Sequence, residues 1–177
     1  MTATGFVNRT QNLIEQEIEP ITGWPSYTNL TSARTKGIEF ELGAKWPGGL
    51  DGAISYSLQD SRNVATGDVL TNSPRQLAKI NVSVPVLPTK LFASVDAQYV
   101  SGRQTVVRTE LGGFVVVNMT LFARQLGESC DVSGSLYNVF DRHYADSGSL
   151  EHLQASIPQD GRSARITVTY RLHQRAR

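Results

Sequence analysis

Apolar and polar residues alternate one by one through most of this chain. Ile38, Phe40, Leu42, Ala44 and Trp46 are separated by residues that include Glu39, Glu41 and Lys45. Ala78, Ile80, Val82, Val84 and Val86 interleave with Lys79, Asn81 and Ser83, and Leu91, Ala93, Val95, Ala97 and Tyr99 with Ser94, Asp96 and Gln98. The same rhythm recurs over 50–59, 115–124 and 165–172. Successive side chains of a strand point to opposite faces, so each run carries one apolar and one polar face. No stretch shows helical spacing. Two less regular runs complete a set of about eight strands, predicted at 6–17, 28–46, 49–61, 76–86, 90–102, 112–124, 130–141 and 163–172. The seventh loses phase near Tyr137 and Asn138, where a bulge or strand end is expected.

The connections sharpen this all-β reading. Those around Trp46-Pro47-Gly48-Gly49, Val86-Leu87-Pro88-Thr89 and Arg124-Gln125-Leu126-Gly127-Glu128 read as tight turns. The connections over 19–27, 62–75, 102–112 and 142–161 are longer and polar. Short and long alternate, so in an antiparallel meander one rim holds the turns and the other the loops. A bacterial outer-membrane barrel has this asymmetry, with short periplasmic turns and long extracellular loops. Its faces agree. Glu39, Glu41, Lys45, Asp51, Lys79, Asp96, Arg124, Arg165 and Arg171 share the polar face, while the other is almost free of charge. Trp46 and Tyr170 are expected near the turn rim, Tyr56 and Tyr99 toward the loop rim, as aromatic girdles would be.

Composition narrows the function. With 17 basic and 16 acidic residues in 177, charge implies no nucleic-acid partner. The single Cys130 excludes an internal disulfide and a cysteine-based zinc site, and reads as an incidental thiol. The first residues lack the basic and apolar regions of a signal peptide. No apolar run reaches the roughly 20 residues of a membrane helix, but barrel strands need only about 10.

Three motifs carry a resemblance. Tyr137-Asn138-Val139-Phe140-Asp141-Arg142-His143-Tyr144 is followed, after a loop, by Ile157-Pro158-Gln159-Asp160-Gly161-Arg162 and a final alternating strand. Arg34-Thr35-Lys36-Gly37-Ile38-Glu39-Phe40-Glu41-Leu42 and Leu70-Thr71-Asn72-Ser73-Pro74-Arg75-Gln76-Leu77-Ala78-Lys79 precede it in order. Together they resemble the C-terminal barrel of TonB-dependent outer-membrane receptors, over nearly the whole of residues 1–177. The resemblance implies the last eight strands of a barrel of about 22. It implies siderophore-type iron complexes as ligands, and as partners outer-membrane lipid, a plug domain, the remaining strands, and the TonB complex acting through that plug. Nothing in the chain resembles the plug, so the chain alone is expected not to drive uptake. Leu172 stands where the family tends to end on an aromatic residue, and 173–177 extend past it.

Asn138, Phe140, Asp141 and Tyr144 are expected to fix the strand end and its loop. Pro158, Asp160 and Gly161 are expected to form a turn, with Gly161 able to take positive φ. Glu151 and His152, near His143 and Asp146 in the longest loop, are weak ligand candidates, because loop spacing fixes no metal geometry. Glu39 and Glu41 line one strand face without a base or nucleophile beside them. No catalytic constellation, cofactor site or metal site is expected. Two other architectures fit the alternation: a complete eight-stranded membrane barrel, which requires 6–17 to pair with 163–172, and a soluble β-sandwich with its apolar faces in a core.

Overall fold

A computed structural model describes residues 1–126, 129–149 and 151–172. Gly127 and Glu128 of the third tight turn, Leu150 and the tail 173–177 lie outside the described residues, as do the side chains of 15–18, 30 and 31. The strands in chain order are β1 (Thr2–Ile18), β2 (Pro25–Lys45), β3 (Asp51–Asn63), β4 (Gln76–Leu87), β5 (Leu91–Val100), β6 (Arg103–Gln104), β7 (Glu110–Leu111), β8 (Phe114–Leu126), β9 (Cys130–Tyr137), β10 (Ala145–Ser147), β11 (Ser156–Pro158) and β12 (Ser163–Tyr170). Eight of them form one antiparallel sheet in the order β1-β2-β3-β4-β5-β8-β9-β12. The other four are two small hairpins, β6–β7 and β10–β11, inside two of the connections expected to be long and polar.

Several boundaries differ from expectation. β1 and β2 run to Ile18 and from Pro25, so the first connection shrinks to 19–24. There Gly23 takes φ 71° and Thr22 Oγ1 donates to Glu19 Oε2 at 2.6 Å. β9 stops at Tyr137, four residues short of the 141 expected, because Asn138 and Asp141 adopt left-handed φ of 48° and 51°. The connection 64–75 folds back on the upper half of β3: Leu70 N–H donates to the Ser61 carbonyl and Gln59 N–H to that of Arg75. Tyr56 therefore sits mid-strand in β3, level with Ala78 near the start of β4 and with Tyr99 at the loop end of β5.

The register separates the faces as the alternation demands. Leu42, Ile54, Ile80 and Ala97 form one transverse row on the apolar face. On the other face, directly paired polar residues bond across the strands. Thr35 donates to Ser61 at 3.0 Å, Ser94 to Ser83 at 3.0 Å and Asn118 Nδ2 to Asp96 Oδ1 at 3.2 Å, while Thr120 and Ser135 lie 2.8 Å apart. At the turn rim the Arg124 guanidinium stacks over Phe92 and Phe122, and Asp131 accepts from both Gln125 N–H and Arg171.

Among the described residues this sheet has no second layer. Only Ala33, Val100 and Phe114 are buried apolar residues, while Ile38, Leu121 and Ile166 are 57, 50 and 79% exposed. A β-sandwich buries its inner faces about 10 Å apart, so the soluble alternative fails. The closed eight-stranded barrel fails too: β1 bonds to β2 and β12 to β9, and the two edges do not meet.

An exposed apolar face of this extent is a liability in water but the required surface in a bilayer. Ile80→Lys, in the middle of that face, is expected to cost about 2–4 kcal/mol in a bilayer. Asn81→Lys, opposite Asp96 on the polar face, should cost far less. Urea titration of the two variants in phospholipid vesicles measures the difference, and equal losses would contradict the face assignment.

Candidate functional site: the loop rim and the polar wall

At the end of β9 the chain must leave the sheet, and Asn138 organises the departure. The residue is 3% exposed. Its N–H donates to Asn118 Oδ1 at 2.9 Å, its Oδ1 accepts from Arg142 N–H at 2.8 Å, and its Nδ2 reaches the carbonyls of Arg142 at 3.0 Å and Asp160 at 3.2 Å. Asparagine tolerates left-handed backbone and carries both donors and an acceptor, which is why it serves here. Asp141 closes the other side, its Oδ1 accepting from Arg162 N–H at 2.7 Å. Both ends of the last long connection are thus tied to one corner.

Gly161 belongs to that corner for a reason the sequence reading missed. Its φ is not positive; a Cβ there would lie 2.8 Å from Asp141 Oδ1. A side chain there would have to push the Asp141 carboxylate aside, so the constraint is close approach rather than backbone handedness. Pro158 pairs with Ala145 in the β10–β11 hairpin. Asp160 is exposed and contributes its carbonyl, and Phe140 is 73% exposed. Tyr144 stacks on Phe114 with ring centroids 4.3 Å apart. Burial raises its phenol above the ordinary tyrosine range, and the nearby charges of Asp146 and Asp160 raise it further.

A second cluster joins three loops. Arg103 in β6 donates from Nε to Asn72 Oδ1 at 3.0 Å and from Nη2 to Asp146 Oδ1 at 2.5 Å, and lies 5.9 Å from the Phe114 ring centre. Its side chain is only 5% exposed, and Nη1 has no hydrogen-bond partner among the described residues. A buried cation holds its place only when paired, so Arg103 pulls the loops carrying Asn72 and Asp146 onto its own. The Asn72 N–H to Gln104 carbonyl bond, 2.7 Å, reinforces this. The partners are 31 and 43 residues away from Arg103, so no local pattern announces the cluster.

Beneath the last loop, the polar face forms a cavity of 460 Å³ with Gln98, Asn118, Tyr137, Asp146, Asp160 and Arg165 in its lining. The candidates Glu151 and His152 do not line it. Both are exposed: His152 Nδ1 lies 2.7 Å from Ser149 Oγ, and Tyr27 Oη approaches Glu151 Oε1 at 3.5 Å, the limit of a hydrogen bond. His143 turns to the Asp141 carbonyl instead. Among the described residues no group of three metal-binding side chains assembles.

A single-layer antiparallel meander, apolar on one face and polar on the other, with tight turns on one rim and tied loops on the opposite one, defines a segment of an outer-membrane-type barrel wall. The family model described as "TonB dependent receptor-like, beta-barrel" matches residues 1–139, and the chain belongs to that family. Its members are transport proteins, not enzymes. Solved structures agree on the fold. The copper transporter OprC superposes with a TM-score of 0.74 at 18% identity, over 95% of this chain and 28% of that one. The siderophore receptor PiuA from Acinetobacter baumannii gives 0.74 at 20% identity over 95% and 25%. The ferric-catecholate import receptor Fiu from K12 E. coli gives 0.70 at 19% over 94% and 24%. The chain thus spans about a quarter of these proteins. No curated protein sequence matches it.

Gly161→Ala is expected to displace Asp141 and break its bond to Arg162, a charge-assisted contact of about 1.5–3 kcal/mol. Amide exchange at Arg162 should rise by about tenfold or more. Asp141→Ala should do the same, and the double variant should add little to either. Additive effects in hydrogen exchange would show that the two residues act separately.

Proposed function

We propose that this chain is part of the wall of a Gram-negative outer-membrane receptor for siderophore-type iron complexes. The polar face lines the lumen, and the connections 64–75, 101–113 and 138–162 form its outer mouth. The observation that carries the reading is the polar cavity between the wall and the tied last loop, at the rim where a ligand would arrive. Its carboxylates, amides and arginine suit a polar, hydrogen-bonding cargo, and Glu151 and His152 stand exposed on the loop above as first contacts. Asn138, Asp141 and Gly161 hold that loop rather than touch cargo. The siderophore and ferric-catecholate receptors among the structural neighbours support the ligand class.

In this reading the apolar face meets membrane lipid, and the edges of β1 and β12 meet the remaining strands. A plug domain fills the lumen, and the TonB complex acts through that plug. The wall itself converts no energy.

Deletion of the gene is expected to abolish accumulation of at least one class of radiolabelled ferric siderophore, with restoration in trans. Accumulation should stop when the inner-membrane proton gradient is discharged. A deletion strain that takes up catecholate, hydroxamate and carboxylate complexes at the parental rate would refute the ligand class. Energy-dependent uptake by cells carrying residues 1–177 alone would refute the passive role of the wall.

A further inference from the structure

The apolar face is not uniformly uncharged. In register, Arg9 lies opposite Arg34 and Arg34 opposite Arg62, so three arginines form one transverse row on that face across β1, β2 and β3. Like charges placed directly opposite destabilise a sheet. Arg62 is compensated: Nε donates to both Asp60 oxygens, at 2.9 and 3.2 Å, and Nη1 to the Gly67 carbonyl at 3.0 Å. Arg9 and Arg34 are exposed, and among the described residues their side chains make no hydrogen bond or ion pair. The next row toward the turn rim is Val7, Lys36 and Asp60, and the one after it is Gly5, Ile38 and Leu58. Strands rise about 3.4 Å per residue and tilt about 40° in such barrels, so the arginines stand roughly 10 Å above the Gly5 row.

Below the arginines the surface is hollow. A groove of 500 Å³ runs over Gly5 and between Val7, Ile38 and Leu58; Lys36, Arg75 and Asp60 also line it, and the Asp60 carboxylate is held by Arg62. Nothing lies within 4 Å of the position a Cβ would take on Gly5, so the hollow is open rather than packed.

We propose that this face seats a phosphate-bearing lipid of the outer leaflet, its headgroup phosphate on Arg9, Arg34 and Lys36 and an acyl chain in the groove over Gly5. The proposal rests on the membrane orientation given under the proposed function. Guanidinium forks match phosphate oxygens in pairs, and the anion removes the repulsion within the row. A single amphiphile supplies anion above and hydrocarbon below, in the order the face presents them. A second copy of the chain does not, because a two-fold contact through the same patch would set arginines against arginines. A second apolar groove, 440 Å³ over Gly134 with Val95, Met119, Leu121 and Ile166, offers a contrast. The rows above it, Ala97–Val117 and Tyr99–Val115, are uncharged, so it makes ordinary acyl contact.

The test is lipid retention. The protein is extracted from outer membranes in mild detergent, placed in phosphatidylcholine nanodiscs doped with bisphosphorylated lipid A or its dephosphorylated form, and examined by native mass spectrometry. Selective retention of the phosphorylated form is expected. R9Q/R34Q should reduce it about thirtyfold, the loss of two surface cation–anion attractions. Gly5→Leu should reduce retention of the phosphorylated form, and Gly134→Leu should leave it unchanged. Equal binding of the two lipids, undiminished retention by R9Q/R34Q, or competition by millimolar inorganic phosphate alone would overturn the proposal. These results are independent of iron uptake, so loss of transport with normal lipid retention would bear only on the proposed function. Absence of the protein from the outer-membrane fraction would overturn both.

Discussion

Every strand of this chain depends on the antiparallel backbone ladder, and the proposed membrane setting makes that dependence absolute. In hydrocarbon an unpaired peptide N–H or carbonyl has no water to turn to, and each costs several kcal/mol. The sheet satisfies its interior strands on both sides, but β1 and β12 each have a single neighbour. A free edge in a bilayer requires another strand, which is why the wall is read with the rest of a barrel around it. Side chains decide what each face meets; the ladder decides that there must be a wall.

The polar face and the loops follow from that constraint. Where strands leave the sheet, the ladder ends and side chains take over the pairing. At the end of β9, Asn138 bonds backbone groups on both sides of the last connection, and Asp141 holds Arg162. At the turn rim Asp131 does comparable work for Gln125 and Arg171. Between them, hydroxyl and amide pairs cross the strands on the polar face and keep its side chains ordered. The result is a cross-braced wall crowned by loops that are themselves tied together at Arg103.

Much of this was legible in the chain as written. Period-2 alternation located the strands of the sheet because each polarity change maps to one face. The motif around Asn138 marked the end of β9, although the predicted strand ran on to 141. Alternation already fails at Tyr137 and Asn138, and the left-handed backbone of Asn138 and Asp141 ends the ladder there. Gly161 does not use the positive φ open to it, and its close approach to a carboxylate 20 residues earlier has no local signature. The hairpins β6–β7 and β10–β11 were missed, being too short for any periodicity to register. Glu151 and His152 drew notice as residue types, yet folding left them apart from the cavity.

The all-β meander, its two faces and its rim asymmetry were written in the chain, because they depend on neighbours one and two residues apart. Folding settled that the sheet stays open rather than closing on itself. It also decided that Asn72, Arg103 and Asp146 meet, and that Arg9, Arg34 and Arg62 fall into one row. Those outcomes depend on register between strands and on contacts between loops remote in sequence. Alternation constrains which face a residue takes, but not which distant residue stands beside it.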